Sequence, residues 1–292
     1  MHKLTLARRQ TEEVMKIIDT YVDILKFIEN LNGHFELTIW REYAASISKE
    51  LPEKCLEDCS FYDFEKEVRP VIEMTLNSKE KLVKLHDSFL DVTCGLKERI
   101  EEAFEANIQF DIVFYLGLCN GAGWVTTLDG KPTVLLGVEK IIELDWIDND
   151  SLIGLLYHEL GHIWHEATGM LYYETDSISE KSLWQLYQEG IAMYCEQLLL
   201  RDFSYYHQDK DGWLVWCEGN RKKLLIEYKR RVNANESTQC FFGDWTNYLG
   251  YSDVGYYLGC ELIKSVSSKY SLKKLANLKI EEIHSELCAL IQ

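Results

Sequence analysis

The sequence is short of proline and of long apolar runs. Only three prolines occur in 292 residues, Pro52, Pro70 and Pro132. Because proline breaks helices more strongly than any other residue, the half of the chain that follows Pro132 can be almost entirely helical. No stretch is apolar over the roughly 20 residues that a membrane-spanning helix needs, and the start of the chain lacks the apolar run of a signal peptide. We therefore expect a cytoplasmic protein with no membrane partner.

Positive charge is also scarce. The chain has 31 Lys and Arg against 48 Asp and Glu, which gives a net charge of −17. Such a chain repels phosphate, which argues against nucleic acid or anionic lipid as a partner. The nine cysteines are odd in number and scattered, which favours reduced thiols over a disulfide framework. Cys55 and Cys59 form the only close pair and, without a second pair, indicate a metal site only weakly.

One stretch, residues 155–164, carries a chemical pattern. It contains His158-Glu159-x-x-His162. On a helix, residues four apart lie one above the other, so both imidazoles can bind a single metal ion. Glu159 follows the first histidine and would face a water held by that metal. Zinc-assisted hydrolysis requires this combination, and we therefore predict one zinc ion per chain with Glu159 as general base.

The surroundings of the pattern favour a helix that lies in the core. Asp150 and Ser151 form a helix start signal, and Gly169 is a stop signal. The residues between them are apolar on almost every face, which is typical of a buried helix. Two histidines and a glutamate in such a core would be costly unless they bind something together.

A catalytic zinc ion needs a third protein ligand. His165 and Glu166 are candidates on the same helix, but a third ligand from one straight helix strains the tetrahedron, and we expect His165 beside the ligands or at the surface. Glu189 is the preferred ligand. It falls on the next predicted helix beside Gly190 and Ala192, which are small enough for the two helices to approach closely.

The first third of the chain predicts helices and no site. Apolar residues recur at helical spacing over about 11–32, 36–50, from about 62 with a kink at Pro70, and over 78–106. We therefore expect an N-terminal helical region over residues 1–107. The remainder, 108–292, is expected to be one domain with a sheet part, 108–145, and a helical part, 146–292.

The sheet part is predicted from a strand at 111–116 and from a hairpin. Residues 124–128 and 131–138 flank Asp129-Gly130, a strong hairpin signal. Pro132 favours an edge strand, which could pair with an extended peptide. We accordingly expect the following residues of the second hairpin strand to contact a substrate: Val134, Leu135, Leu136 and Gly137. The alternative is a hairpin that has only a structural role.

The helical part is predicted to contain helices from Ser179 or Ser182 to about Leu200, over 214–232, and from about Asp253 to the end. Together with the hairpin, these helices predict an α+β fold that is mostly α.

Three motifs resemble those of the gluzincin zinc peptidases, the superfamily of thermolysin and aminopeptidase N. The first is His158-Glu159-x-x-His162. The second, residues 189–194, resembles the Glu-Gly-x-x-x-Tyr that carries the third ligand in the aminopeptidase N-like branch. The third, residues 251–259, resembles the Tyr-x-x-x-x-Tyr-x-x-Gly of that branch. The resemblance covers about residues 109–268, and a family of uncharacterised bacterial predicted zinc-dependent proteases shares the same order.

The resemblance implies a zincin-like metallopeptidase core and a role for each residue. Zinc would be bound by His158, His162 and Glu189, Glu159 would act as general base, and Tyr256 would hydrogen-bond the oxyanion. Tyr257 and Tyr251 are alternatives to Tyr256, and Tyr257 is also expected to contact substrate. The expected partner is a peptide or protein substrate, and a monomer is the default oligomeric state.

Two departures and two alternatives accompany this hypothesis. Residues 121–124 lack the glutamate that holds a substrate amine in the aminopeptidase branch. Met193 stands where thermolysin has an aspartate, so another residue must orient the ligand histidines.

The chain could instead be a catalytically silent zincin-fold protein that binds metal or peptide. A di-metal helical bundle would need two Glu-x-x-His pairs, and the second one available is Glu281-x-x-His284.

Overall fold

The computed structural model describes residues 15–31, 34–104 and 108–290. The fold is α+β and mostly helical, with one four-stranded mixed sheet. Its strands, in chain order, are β1 Met15–Asp19, β2 Phe110–Tyr115, β3 Gly123–Leu128 and β4 Lys131–Gly137. The order across the sheet is β1-β2-β4-β3, where β1, β2 and β4 are parallel and β3 is antiparallel to β4.

The helices lie in two groups. Those between β1 and β2 are α1 Tyr21–Leu31, α2 Leu37–Ile47, α3 Leu51–Cys59, α4 Arg69–Leu76, α5 Lys79–Thr93 and α6 Leu96–Phe104, with a π-helical turn at Phe64–Val68. Those after β4 are α7 Val138–Glu143, α8 Asn149–Thr168, α9 Ile178–Leu200, α10 Trp213–Asn233, α11 Val254–Ser267, α12 Leu272–Leu275 and α13 Ile280–Ala289, with a 3₁₀ turn at Gln239–Phe241.

The helix predicted over residues 11–32 is wrong in its first half, where residues 11–14 lie outside the described part. Met15–Asp19 form β1, which pairs with β2 in a register that sets Ile17 opposite Ile112. The helical spacing of apolar residues could not reveal this strand, because its partner lies 95 residues further along the chain. The hydroxyl of Thr20 donates to the Phe114 carbonyl at 2.7 Å and ends the strand.

One other N-terminal prediction needs correction, and one N-terminal helix was not predicted. The helix predicted over 78–106 is two helices, because Gly95 has a φ of +64° and breaks the segment between α5 and α6. The helix that was not predicted is α3, in which Pro52 occupies the first turn, the one place in a helix that tolerates proline.

The N-terminal helices hold the end of β2 and the loop that follows it. The Trp40 indole donates to the Leu116 carbonyl at 2.8 Å, and the Leu116 amide donates to the Tyr43 hydroxyl at 2.9 Å. Further along the loop, the Asn120 side chain donates to the Cys55 carbonyl at 2.8 Å. This layer therefore fixes the chain that leads into β3.

The predicted hairpin is confirmed, but its second strand is not at the edge of the sheet. β4 lies between β2 and β3, and residues 134–137 are fully buried. Pro132 is tolerated because pairing with β2 begins only at Thr133, so Pro132 has a strand neighbour on one side alone. The edge position predicted for Val134, Leu135, Leu136 and Gly137 is therefore wrong, because β3 is the edge strand next to them, and their contact with a substrate stays a prediction.

Helices α8, α9 and α11 pack together without large side chains between their backbones. A Cβ atom on Gly190 of α9 would lie 2.3 Å from the carbonyl oxygen of Gly259 on α11, and one on Gly161 of α8 would lie 2.8 Å from Cα of Ala192. Such contacts allow only glycine. The α8 helix starts at Asp148, whose carboxylate accepts the Ser151 amide at 2.9 Å.

Candidate metal centre

The close approach of α8 and α9 brings three ligand atoms together. Nε2 of His158 lies 3.2 Å from Nε2 of His162 and 3.2 Å from Oε2 of Glu189, and Nε2 of His162 lies 3.3 Å from the same oxygen. The three atoms thus form a nearly equilateral triangle. Both histidines come from consecutive turns of α8, and Glu189 comes from the facing turn of α9.

The size of this triangle suits a tetrahedral zinc ion. Zinc binds imidazole nitrogen and carboxylate oxygen at about 2.0–2.1 Å, so two of its ligand atoms lie about 3.3 Å apart in a tetrahedron. The observed distances of 3.2, 3.2 and 3.3 Å match that spacing. The residues present therefore fit zinc, and the three predicted ligands lie together.

The charges of the triangle are strongly coupled. Burial lowers the pKa of His158. Burial acts in the same direction on His162, but the Glu189 carboxylate outweighs it and raises the pKa of His162. Burial would raise the pKa of Glu189, yet the two imidazoles lower it well below its usual range. Glu189 is therefore held as a carboxylate, the form that binds a metal.

Glu159 lies beside the triangle without a hydrogen-bond partner among the described residues. Its side chain is buried, and burial raises its pKa to about 7. It approaches the start of β3 so closely that a Cβ atom on Gly123 would lie 2.7 Å from its Cγ and from Oε1. The glycine-rich loop at residues 120–123 thus has a role that the sequence did not indicate, which is to make room for this carboxylate.

Glu196 and His207 lie behind His158, on the side away from Glu189. Oε2 of Glu196 lies 3.8 Å from Nδ1 of His158 and 2.8 Å from Nδ1 of His207. Both side chains are buried, and burial raises the pKa of Glu196 to about 8. Glu196 follows Glu189 by two helical turns and therefore lies on the same face of α9. It places a carboxylate on the Nδ1 side of His158, but Nδ1 of His158 makes no hydrogen bond to the described residues.

Tyr256 is the tyrosine of the third motif that reaches the site. Its ring centroid lies 5.5 Å from that of His158, and burial raises its pKa well above the usual value. The two alternatives point elsewhere. Tyr257 is buried against Tyr206, with ring centroids 5.9 Å apart, and Tyr251 stacks on Trp216 at 4.0 Å. Neighbouring helical residues point about 100° apart, so Tyr257 points away from His158 while Tyr256 faces it. The contact of Tyr257 with a substrate stays a prediction.

A cavity of about 650 Å³ opens onto the site. His158, Glu159 and Tyr256 form one wall. The rest of the lining comes from the segment after α3, the loop before β3, α7 and the turn after it, α8, the segment after α9 and the segment before α11. These residues are Phe61, Tyr62, Cys119, Asn120, Gly121, Ala122, Gly123, Lys140, Leu144, Trp146, Leu155, His207, Gln208, Gln239, Phe242, Gly243, Asp244, Trp245, Thr246 and Asp253. A peptide segment fits such a volume.

Other candidate ligands lie away from the centre. His165 is fully buried against the ring of Tyr187, at 5.2 Å between centroids, so the expectation of a surface position is wrong. Cys55 is a buried thiol 3.9 Å from the Tyr115 hydroxyl, and neither it nor Cys59 belongs to a group of metal-ligating side chains in the described chain. His284 of the second Glu-x-x-His lies on α13 beside Cys288.

The nine cysteines are all free thiols, and within the described ranges no helix is long and apolar enough to cross a membrane. Comparison with known proteins adds no relative. No family model matches the chain, and neither the curated proteins nor the solved structures include a significant match.

Sequence reasoning missed Glu196, His207, Gln208, Asp253 and Gly123. Only Glu196 carried a signal, since it lies two turns after Glu189 on the same helix face. His207 and Gln208 lie in a segment between α9 and α10, where no periodicity relates them to α8.

Proposed function

We propose that the protein is a zinc-dependent peptidase that hydrolyses peptide bonds. The observation that carries this proposal is the triangle of ligand atoms from His158, His162 and Glu189, with edges of 3.2 to 3.3 Å, beside an unpartnered buried carboxylate. A zinc ion bound there would supply Lewis acidity, polarising a carbonyl and lowering the pKa of water to about 7.

The proton transfers are assigned to Glu159. Its carboxylate lines the cavity beside His158 and accepts no hydrogen bond from the described residues. It takes a proton from the attacking water as the new C–O bond forms at the peptide carbonyl. It then passes that proton to the amine nitrogen as the C–N bond breaks, so the carboxylate is regenerated at the end of the cycle.

Tyr256 is assigned to the oxyanion. Its phenol lies in the cavity wall next to His158, and its raised pKa keeps it protonated as a hydrogen-bond donor at neutral pH. A donor that faces the developing negative charge stabilises the transition state more than the ground state.

The edge strand β3 is assigned to the substrate backbone. It is the last strand of the sheet, its outer edge has no strand partner among the described residues, and its first residue, Gly123, lines the cavity beside Glu159. An extended peptide could add to that edge through main-chain hydrogen bonds. The sequence predicted this role for β4.

Metal content of the purified wild type and of Glu189→Ala tests the proposal. We expect one zinc ion per chain in the wild type and loss of most of it in the variant, because a third ligand has been removed. Glu174→Ala is a matched control, since Glu174 is a loop carboxylate outside the triangle. Absence of zinc from the wild type, or equal zinc content in Glu189→Ala and Glu174→Ala, would contradict the proposed metal site.

A zincin-fold protein that binds metal or peptide without turnover is the alternative. Zinc content does not separate it from a peptidase, but Glu159→Gln does. The variant should keep zinc whether the protein is a peptidase or only binds metal or peptide. Peptide turnover, present in the wild type and lost in the variant, is expected only of a peptidase.

A further inference from the structure

The cavity beside the metal centre is lined by more negative than positive charge. Apart from Glu159 beside the metal centre, the described residues of its wall include two carboxylates, Asp244 and Asp253, and Lys140 is the only cation apart from the histidines. The chain as a whole also carries a net charge of −17. Both fields attract a positively charged ligand and repel a negatively charged one.

Lys140 does not offset this excess, because it is already paired. Its side chain is only 3% exposed, and its ammonium contacts the carboxylates of Glu143 and Asp244 and lies 4.5 Å from the ring centroid of Trp245. The cluster of Lys140, Glu143 and Asp244 therefore has a net charge of about −1 by itself. Lys140 also acts to lower the pKa of Asp253, but burial and Asp244 outweigh it.

Asp253 is the carboxylate with a free oxygen. Its Oδ1 accepts the Gly243 amide at 2.9 Å, whereas its Oδ2 has no hydrogen bond to the described residues. Burial and the nearby Asp244 raise the pKa of Asp253 to about 7. A bound cation would relieve this crowding of like charges.

Gln208 provides an independent observation in the same cavity. Its side chain is 8% exposed and lines the wall, and its Oε1 is buried without a hydrogen-bond partner. An unpartnered buried amide oxygen is costly, and a ligand that brings N–H donors would satisfy it. Ammonium and guanidinium groups are such donors.

The aromatic rim fits the same chemistry. The rings of Tyr62 and Trp245 meet edge to face at 5.0 Å, and both residues line the cavity with part of their surface exposed. Aromatic faces bind cationic side chains and their methylene stems.

We propose that this cavity selects peptides that carry a positively charged nitrogen, with Asp253 as its carboxylate partner and Gln208 as a further acceptor. The inference rests on the proposed function, because it names the substrate class of the same site. The charge resides either on a Lys or Arg side chain or on the peptide's own α-amine, and these two sources share the chemistry.

Peptide binding to the zinc-loaded Glu159→Gln protein tests the charge preference without requiring turnover. The probes are N-acetylated, C-amidated dodecapeptide pools in which each position in turn carries arginine or citrulline, its neutral isostere. A third pool has neutral side chains and a free α-amine. We expect about tenfold tighter binding of a charged pool than of its neutral counterpart, and a preference that weakens with added salt.

Asp253→Asn in the same background tests the assignment to a residue. Asparagine can still accept the Gly243 amide, so the loop keeps its hydrogen bond while the charge is lost. The charged-to-neutral ratio should fall towards one in Asp253→Asn. Asp202→Asn is the matched control, because Asp202 also accepts one backbone amide, from Ser204 at 2.9 Å, but lies outside the cavity.

Each outcome bears on one proposal. Equal binding of arginine, citrulline and free-amine pools would overturn the charge preference, whether or not the wild type cleaves peptides. A preference that survives Asp253→Asn would overturn the assignment to Asp253. A preference in binding, together with a wild type that cleaves none of the pools, would support the cation subsite and count against the peptidase function.

Discussion

Two neighbouring regions of the molecule each bury a glutamate. The first turn of α7 buries Glu139, the middle of α8 buries Glu159, and burial raises each pKa to about 7. The Glu139 carboxylate accepts the amides of Gly117 at 2.7 Å and Cys119 at 3.0 Å. Glu159 accepts no hydrogen bond from the described residues and faces a cavity. Burial and a raised pKa are thus common to both glutamates. Only Glu159, which is also unpaired and faces a cavity, indicates a role in chemistry.

The difference lies in what each carboxylate does for the fold. Glu139 satisfies two amides of the loop that enters β3 and would leave them unpaired if removed. Glu159 satisfies nothing, so the fold bears the cost of its burial without a local gain. Such an imbalance is typical of residues kept for function.

The largest effect should come from Glu159→Gln. Turnover of any peptide that the wild type cleaves should fall about 1,000-fold, because the amide cannot accept the proton of the attacking water. Zinc content should stay at the wild-type level, since the ligands are untouched. Steady-state kinetics and metal analysis on one preparation check both statements.

Glu139→Gln is the matched control for that experiment, since it makes the same chemical change at the other buried glutamate. Glutamine can accept only one of the two amides, so some stability is lost. No proposed ligand or base is changed, so turnover per folded molecule should stay close to that of the wild type. Equal loss of activity in the two variants would show that the comparison between the two glutamates is mistaken.

The next effect is a pH dependence of stability at Glu139. Its pKa is raised from 4.5 to about 7 on folding, so the folded state binds the proton more tightly than the unfolded state. The stability that follows is fully present below about pH 4.5 and is lost as the pH rises through about 7, and it amounts to roughly 3 kcal/mol. Urea unfolding of the wild type and Glu139→Gln across this range measures it.

The wild type should lose stability relative to Glu139→Gln as the pH rises. Parallel stability curves for the two proteins would mean that the buried carboxylate keeps an ordinary pKa. The amides of Gly117 and Cys119 would then offset its burial completely.

A smaller effect is expected from Tyr256→Phe. Removal of one hydrogen-bond donor to an oxyanion typically lowers the turnover number about 100-fold. Zinc content and the Michaelis constant should change little, because the ring still packs beside His158. Tyr257→Phe is the control, since Tyr257 packs beside Tyr206 and Trp213. A larger loss in Tyr257→Phe would reverse the assignment of the two tyrosines.

Local pattern was enough to predict the helical half of the site. The spacing of His158, Glu159 and His162 needs only one helix, and α8 begins and ends within two residues of its predicted signals. The small residues beside Glu189 indicated a close approach to α8, and Ala192 does lie against Gly161 of that helix. The gluzincin family and the peptidase function stay predictions.

The sheet was predicted less well, because its pairings are long-range. β1 was assigned to a helix, since its apolar residues also fit a 3.6-residue period and its partner lies far along the chain. Pro132 indicated that its strand lies at the edge of the sheet. The order of the strands determines which strand is at the edge, and no local feature of the sequence revealed that β3 rather than β4 is outermost. The walls of the cavity depend on the same tertiary arrangement.

Gly123 links the sheet to the site, and Gly123→Ala should have the smallest effect. The added methyl would lie 2.7 Å from Cγ and Oε1 of Glu159, so the carboxylate or β3 must shift by several tenths of an ångström. We expect about a tenfold loss of turnover from a misplaced base, with unchanged zinc content. Gly219→Ala is the control: Gly219 lies in α10 with open space around it and should gain stability by about 0.5–1 kcal/mol. Full activity in Gly123→Ala would mean that Glu159 does not need its present position against β3. Glu159 would then differ even more from Glu139, whose carboxylate is held in place by two backbone amides.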